Sequence, residues 1–406
     1  MSMRKLGLLT AALLCGGTAS VLAACPYKNE VPLKSLTAGF EAWKSVTSAM
    51  AECGNFKPEL DQEFAKKYID AFAARPALYH FGGVANETMV PLLNAGTIRP
   101  LDDLVAKYGK QLSPNQLIKV DGKVMAIAMM VNAQHLMYRR DILETLKIAP
   151  PTTYAEVLAA AEKIKAANAV PFALGATMKS GWNLAQDFVN MYLGHGGQFF
   201  GAGNSATINN PAGIKTLETM KALTAYMDPE YLAADSTVVQ QQFQQGKIAM
   251  ANLWASRAGA LDKESESKVV GKVVMAAAPL AMAGGKPATT LWWDGIVIAK
   301  NITDAEADAA FRLAMIGLSK EMVMAHNDDA VWLIEGFKPS RMAEGAIKST
   351  EMQAPAYPAS PQLGLMQTAL GNTLADYFTG KASAADTLAK TEAAYTTAAK
   401  SGGLIK

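Results

Sequence analysis

Histidine and cysteine are scarce in this chain, and each scarcity removes a class of chemistry. Among 406 residues there are four histidines (His80, His135, His195 and His326) and three cysteines (Cys15, Cys25 and Cys53). No H-E-x-x-H, C-x-x-C or G-x-S-x-G stretch occurs, so the common zinc-protease, redox and nucleophile-elbow motifs are excluded. HNDD, His326 to Asp329, mixes ligand types and has no distant partner, so it reads as a solvated helix-end turn rather than a metal cluster. GAGNSA, Gly201 to Ala206, matches G-x-G-x-x-A. It follows a helical stretch and not a strand, so it reads as a loop rather than a dinucleotide site. Charge of one sign is also lacking. The chain carries 38 basic and 36 acidic residues, a formal net charge of +2. Without a basic stripe, a nucleic-acid partner is excluded.

Long apolar runs are likewise missing. The only one near the N-terminus, from Leu6, is interrupted at Gly16, Gly17 and Thr18, whereas a spanning helix needs about 20 apolar residues. Arg4 and Lys5, the apolar run and the small residues up to Ala24 have the layout of a secretory signal peptide over residues 1–24. Its removal takes away two positive charges and no acid, so the net charge of +2 falls to zero. The remaining chain exceeds the size at which a single core stops growing, about 250–300 residues, and two lobes are expected.

Cys25 and Cys53 survive that cleavage. EVPLKSLTAGF reads as a first strand, AWKSVTSAMAE as a helix and NFKPELDQEF as a second strand, with one cysteine shortly before each strand. In a right-handed βαβ unit both strands start at the same end of the sheet, so a Cys25–Cys53 disulfide is expected. The alternative is a lipid anchor, because Leu22-Ala23-Ala24-Cys25 also fits a lipobox.

Alternating strands and helices continue through the first part, the pattern of an α/β chain. ALYHFGG, Ala77 to Gly83, reads as a third strand with His80 near its end. DGKVMAIAMMVNAQHLMYRRDIL reads as a turn, an unbroken apolar strand and a helix resuming near Arg139. The middle is richer in helix. Thr153 with Glu156 forms a capping box, Trp182 and Asn183 open another helix, and Asn210 precedes Pro211 at a third helix start. Ile296 to Ala299 reads as a buried strand preceded by Trp292, Trp293 and Asp294.

Several segments together resemble one family. APPTTYAEVLAAAEKIKA, NAGTIRPLDDLV, DGKVMAIAMMVNAQHLMYRRDIL, QQQFQQGKIAMANLWASRAG and FKPSR occur in that order along the chain. They are similar to landmarks of the extracellular solute-binding proteins of ABC importers, the sugar-binding group that is maltose-binding-protein-like. Where many members carry Pro-Asp before the third strand, this chain has Pro76-Ala77-Leu78. The resemblance implies a two-lobe periplasmic binding protein fold, type II-like and α/β, with a multi-crossover hinge. By it the amino-terminal lobe holds residues 26–131 and 294–345, and the carboxyl-terminal lobe 132–293 and 346–406.

The resemblance also implies the function. A periplasmic receptor captures a sugar (a mono- or short oligosaccharide, or a polyol) between its lobes and delivers it to an ABC transporter permease. Such a receptor is a monomer without cofactor, metal or catalysis. Ligand contacts are expected at Trp292, Trp293 and Asp294 where the chain crosses back between lobes, at Trp254 and Arg257 after a second-lobe strand, and at Trp182 and Asn183. Glu41 and Trp43 after the first strand, His80, Asn132 in the first crossover, and Arg341 complete the candidates. Aromatic faces suit the C–H face of a sugar, and Asp294 suits its hydroxyls. Three alternatives stand beside this reading: a polyamine or other small-solute receptor, a secreted carbohydrate-binding module without a transporter, and a glycoside hydrolase using Glu41 and Asp294.

Overall fold

The computed structural model describes residues 25–405. The signal-peptide expectation and Cys15 lie outside the described residues.

Two sheets organise the chain. β1 (Asn29–Thr37) lies between β2 (Gly54–Leu60) and β3 (Phe81–Ala85) in a parallel ladder, with helices Glu41–Ala51 and Phe64–Ala73 as crossovers. β4 (Leu117–Val120) turns into β5 (Lys123–Asn132), whose apolar residues are buried on both faces. Burial on both faces is why the sequence shows an unbroken run there instead of alternation. β6 (Gln134–Arg139), β7 (Phe172–Ala176), β8 (Ile248–Trp254) and β9 (Val273–Met275) form the second sheet, in the order β7-β8-β6-β9. β10 (Trp292–Ile298) returns to the first sheet between β3 and β5, and β11 (Val331–Trp332) also pairs with β5.

The chain therefore passes between the sheets three times. β5 leaves the first sheet at Asn132 and β6 enters the second at Gln134, so the apolar run that reads as one strand is two, divided at Ala133. The second passage ends where β10 begins, at Trp292. The third falls between Phe337, which packs on the first-sheet core, and Met342, which packs among Met137, Phe243 and Leu253 of the second.

Each sheet has its own core. In the first, Trp43 of helix Glu41–Ala51 is 1% exposed among Leu33, Val46, Phe81 and Ile296. The indole presses on β3 so closely that a Cβ at Gly83 would lie 2.5 Å from its Cζ2. In the second, helices Tyr154–Ala166, Trp182–Gly194, Pro211–Thr224, Pro361–Thr373 and Ala384–Ser401 bury Val157, Phe188, Leu217, Leu370 and Tyr395 together. The sequence-level caps are in place. Thr153 Oγ1 accepts from Glu156 N at 3.2 Å while Glu156 Oε2 accepts from Thr153 N at 3.1 Å, and Asn210 Oδ1 accepts from Gly213 N at 2.9 Å.

Cys25 and Cys53 are joined in a disulfide with their Cα atoms 5.4 Å apart. Asn29 N donates to Cys53 O at 2.7 Å, so the bridge ties together the starts of β1 and β2. A lipid thioether on Cys25 would require the same sulfur. GAGNSA folds as a tight turn with Gly203 at φ 65°, in the left-handed region glycine favours. HNDD folds as a helix-end turn in which His326 Nδ1 lies 3.1 Å from Asp329 Oδ2. Among the described residues no helix is long and apolar enough to cross a membrane, and no group of three or more His, Cys, Asp or Glu is placed to hold a metal ion.

Candidate functional site

The three passages put one surface of each sheet's domain face to face, and indoles collect between them. Trp292 opens β10 opposite Asn132. Trp254 ends β8 opposite Gln134. Trp182 starts helix Trp182–Gly194, just beyond the carboxyl end of β7. The rings of Trp182 and Trp254 lie 6.4 Å apart and 23° from parallel. Trp292 stands edge-on to both, at 5.8 Å from each. Tyr357 packs against it, tilted by 36°, with ring centroids 4.1 Å apart. Trp182 is 40% exposed, whereas Trp254 and Trp292 are 8% and 5% exposed, so the cluster opens through Trp182.

Acids approach from the first sheet. β3 ends at Ala85 and helix Asn86–Asn94 begins, placing Glu87 in its first turn. Trp182 Nε1 donates to Glu87 Oε2 at 2.6 Å, a bond from one lobe to the other. Burial pushes the Glu87 carboxyl up to about 7, against the opposing pull of that bond. Asp294 pairs with Ala85 in the ladder and is half-buried. Burial pushes its carboxyl up to about 7 as well, and no hydrogen bond offsets the cost. Asn86 fixes the corner: its Oδ1 accepts from Trp293 N at 2.8 Å.

The wall is braced from below by a buried polar chain. Trp292 Nε1 donates to Thr290 Oγ1 at 2.8 Å, and Thr290 Oγ1 donates to Asn190 Oδ1 at 2.8 Å. Asn190 Nδ2 donates to Gln134 Oε1 at 2.6 Å, Gln134 Nε2 to Thr177 Oγ1 at 2.7 Å, and Thr177 Oγ1 to Asp187 Oδ1 at 3.2 Å. Tyr357 joins through Gln367, whose Nε2 donates to Gln186 Oε1 at 3.1 Å. Such a network holds each ring in one orientation because any displacement strands a buried polar group.

Asp187 gives this network a pH signature. Burial pushes its carboxyl from an ordinary 3.8 up to about 7, although Gln134 and Thr177 pull the other way. The folded chain then binds the proton more tightly than the unfolded chain between those values. Stability attributable to Asp187 is present below pH 4 and is lost as pH rises towards 7, roughly 4 kcal/mol in all. Asp187→Asn is therefore expected to raise the Tm relative to the parent at pH 8, with the difference shrinking by pH 5. A difference in thermal melts that does not change with pH contradicts this.

The sequence-based candidates divide into three groups. Trp182, Trp254 and Trp292 converge as described, with Asp294 two residues on from Trp292 in β10 and Asn183 half-buried beside Trp182. Asn132, Arg257 and Glu41 border the cleft but are occupied. Asn132 Nδ2 donates to Ser256 Oγ at 3.1 Å and its Oδ1 accepts from Ala133 N at 3.1 Å, a brace across the first passage. Arg257 donates to Gln240 Oε1 at 3.2 Å and sits in the field of Asp235 and Glu41. Glu41 is paired with Lys44 at 2.6 Å.

The remaining candidates are corrected. Trp43 lies wholly inside the first-sheet core and reaches no cleft. His80 precedes β3 instead of ending it. Its Nδ1 accepts from Lys34 N at 3.0 Å and its Nε2 faces Glu306 at 3.6 Å. Five strand residues, about 17 Å of β3, separate it from the end that meets Asp294. Arg341 is paired with Asp262 and donates to Val273 O at 2.9 Å, so it pins the third passage to the edge of the second sheet. Trp293 points to the opposite face of β10 from Trp292, against the cluster containing Val84, Met89 and Val297.

Glu87, Asn86 and Tyr357 escaped the sequence reading. With β3 at Phe81–Ala85 rather than Ala77 to Gly83, Asn86-Glu87 stands at a strand's carboxyl end, where ligands bind in α/β sheets. Tyr357 carries no such signal beyond an aromatic ring between Pro355 and Pro358.

Two α/β lobes, three connecting passages and a polar, indole-walled cleft define a two-lobed binding protein. The chain belongs to the bacterial extracellular solute-binding protein family, whose model matches residues 76–316. Solved structures share the fold along nearly the whole chain. An ABC transporter solute-binding protein from Agrobacterium radiobacter K84, in complex with ribitol, is 20% identical over 92% of this chain and 100% of its own, with a TM-score of 0.79. One from Agrobacterium vitis S4 with bound D-mannitol is 19% identical over 91% and 99%, with a TM-score of 0.78. Maltose-bound MalE3 of T. maritima is 18% identical over 90% and 99%, with a TM-score of 0.75.

Proposed function

We propose that this protein is the receptor of an ABC importer and captures a small hydroxylated solute, a sugar or polyol, between its lobes. The observation that carries the reading is the convergence of Trp182, Trp254 and Trp292, with Glu87 bonded to Trp182 and Asp294 two residues on from Trp292 in β10. Ring faces pack on C–H surfaces while carboxylates accept from hydroxyls, and a sugar or polyol offers both. Similar chains hold ribitol, D-mannitol and maltose, which supports the same class here. In this reading the lobes divide near Asn132, Trp292 and Arg341, and ligand contacts from both lobes favour the closed form over the open one. The monomeric receptor acts in the periplasm and hands its solute to a membrane permease.

The test is a thermal-shift panel of sugars and polyols, followed by mass spectrometry of whatever small molecule the denatured purified protein releases. The reading predicts stabilisation by at least one polyhydroxylated compound and a released solute of the same class. A released solute without hydroxyl groups, with no stabilisation across the panel, overturns it.

A further inference from the structure

Around the indole cluster several side-chain hydrogen-bond donors are occupied while carboxylate oxygens are left open. Trp292 Nε1 is given to Thr290, Trp182 Nε1 to Glu87, the Tyr357 hydroxyl to Gln367 and Asn132 Nδ2 to Ser256. Asp294, by contrast, has neither carboxylate oxygen engaged by a described residue, and Glu87 has only Oε2 engaged. The strand register puts Asp294 opposite Ala85, two residues before Glu87. No lysine or arginine field acts on either carboxyl. Arg257, a cation among the cleft candidates, answers Asp235 and Glu41 instead. Burial therefore pushes both acids up to about 7. Two desolvated carboxyls, neither acted on by a protein cation and one of them bonded to the Trp182 indole, lack one component: a positive charge that the rings also attract.

We infer that the preferred ligand carries a protonated amine beside its hydroxyl groups, as an amino sugar or amino polyol does, and that Glu87 and Asp294 are the residues that select it. The inference rests on the hydroxylated-solute reading above and narrows it. An ammonium supplies three donors and the missing charge. A neutral polyol supplies donors alone, and a sugar acid or sugar phosphate meets like charge.

Matched pairs test it: glucosamine against glucose, galactosamine against galactose, and 1-amino-1-deoxyglucitol against glucitol, titrated calorimetrically into the purified protein at pH 7 in two buffers of different ionisation enthalpy. The amine member of at least one pair is expected to bind about tenfold tighter than its neutral partner. Binding should release about one proton, since two half-protonated carboxyls become fully ionised. Glu87→Gln and Asp294→Asn should each move the amine-to-neutral affinity ratio towards one and reduce the proton release. A neutral compound that binds as well as its amine partner overturns this inference and leaves the hydroxylated-solute reading standing. An amine preference that persists in both variants overturns the assignment to these residues. Failure of every amine member to bind overturns this inference, and the released-solute and thermal-shift tests above then decide the hydroxylated-solute reading.

Discussion

Trp254→Ala is expected to weaken solute binding by about a hundredfold. The ring ends β8 and stands against both other cleft indoles, at 6.4 Å from Trp182 and 5.8 Å from Trp292. A tryptophan buries about 150–250 Å² when covered. Only 8% of Trp254 is exposed with the lobes together; if parting the lobes frees roughly half of that area for ligand to cover, the loss at about 25 cal/mol per Å² is near 2.5 kcal/mol, or about two orders of magnitude in Kd. The two neighbouring rings also lose the partner that sets their angle, so Trp292→Ala should act in the same direction. Trp254→Phe should recover part of the affinity by restoring a ring face without its full area. Calorimetric titration with the best ligand of the panel, on variants whose circular dichroism matches the parent, provides the measurement. Unchanged affinity in both alanine variants contradicts the cleft assignment.

Trp43→Ala is expected to do the reverse: to damage the fold and spare the site. The side chain is 1% exposed, and β3 carries Gly83 where the indole presses. Emptying such a position costs the transfer energy plus the cavity, about 3–5 kcal/mol for a buried tryptophan. For a unit of this size each kcal/mol lowers the Tm by about 2–4 °C, so a fall on the order of 10 °C is expected in the amino-lobe transition. The protein that remains folded at low temperature should bind with parental affinity. A stable Trp43→Ala protein with impaired binding would return this residue to the cleft and contradict the structure. The two substitutions thus separate indoles that the sequence alone presents as equivalent candidates.

Local signals in the sequence read well where one force acts alone. The capping box at Thr153 and Glu156 is a contest between side chain and backbone settled within four residues, and it formed as expected. The disulfide followed from strand direction, because two parallel strands joined by one helix must start side by side. Trp182, Trp254 and Trp292 each stand at the border of an element, where a large ring with an N–H is seldom needed for packing alone.

Other features depended on information that hydropathy does not hold. The apolar residues before and after Ala133 are equally buried, so nothing in their character marks the change of sheet. Ala77, Leu78 and Tyr79 are as apolar as the residues of β3, so hydropathy starts the third strand too early. That displacement put His80 at the ligand end and hid Glu87. The Trp292-Trp293 doublet itself carries the signal for Trp293. Once β10 starts at Trp292, adjacent residues must face opposite sides of the sheet, and a double tryptophan cannot line one wall. Arg341 could be placed only after its partner Asp262, 79 positions earlier, was brought to it by the second sheet.

The account depends on two lobes that come together around a solute, with Trp182 of one lobe reaching Glu87 of the other at 2.6 Å only when they meet. Small-angle X-ray scattering of the purified protein, alone and with a saturating polyhydroxylated ligand from the panel, tests this most directly. The account predicts a smaller radius of gyration and a more compact profile on ligand addition. Superimposable profiles with and without a ligand shown by calorimetry to be bound would contradict it.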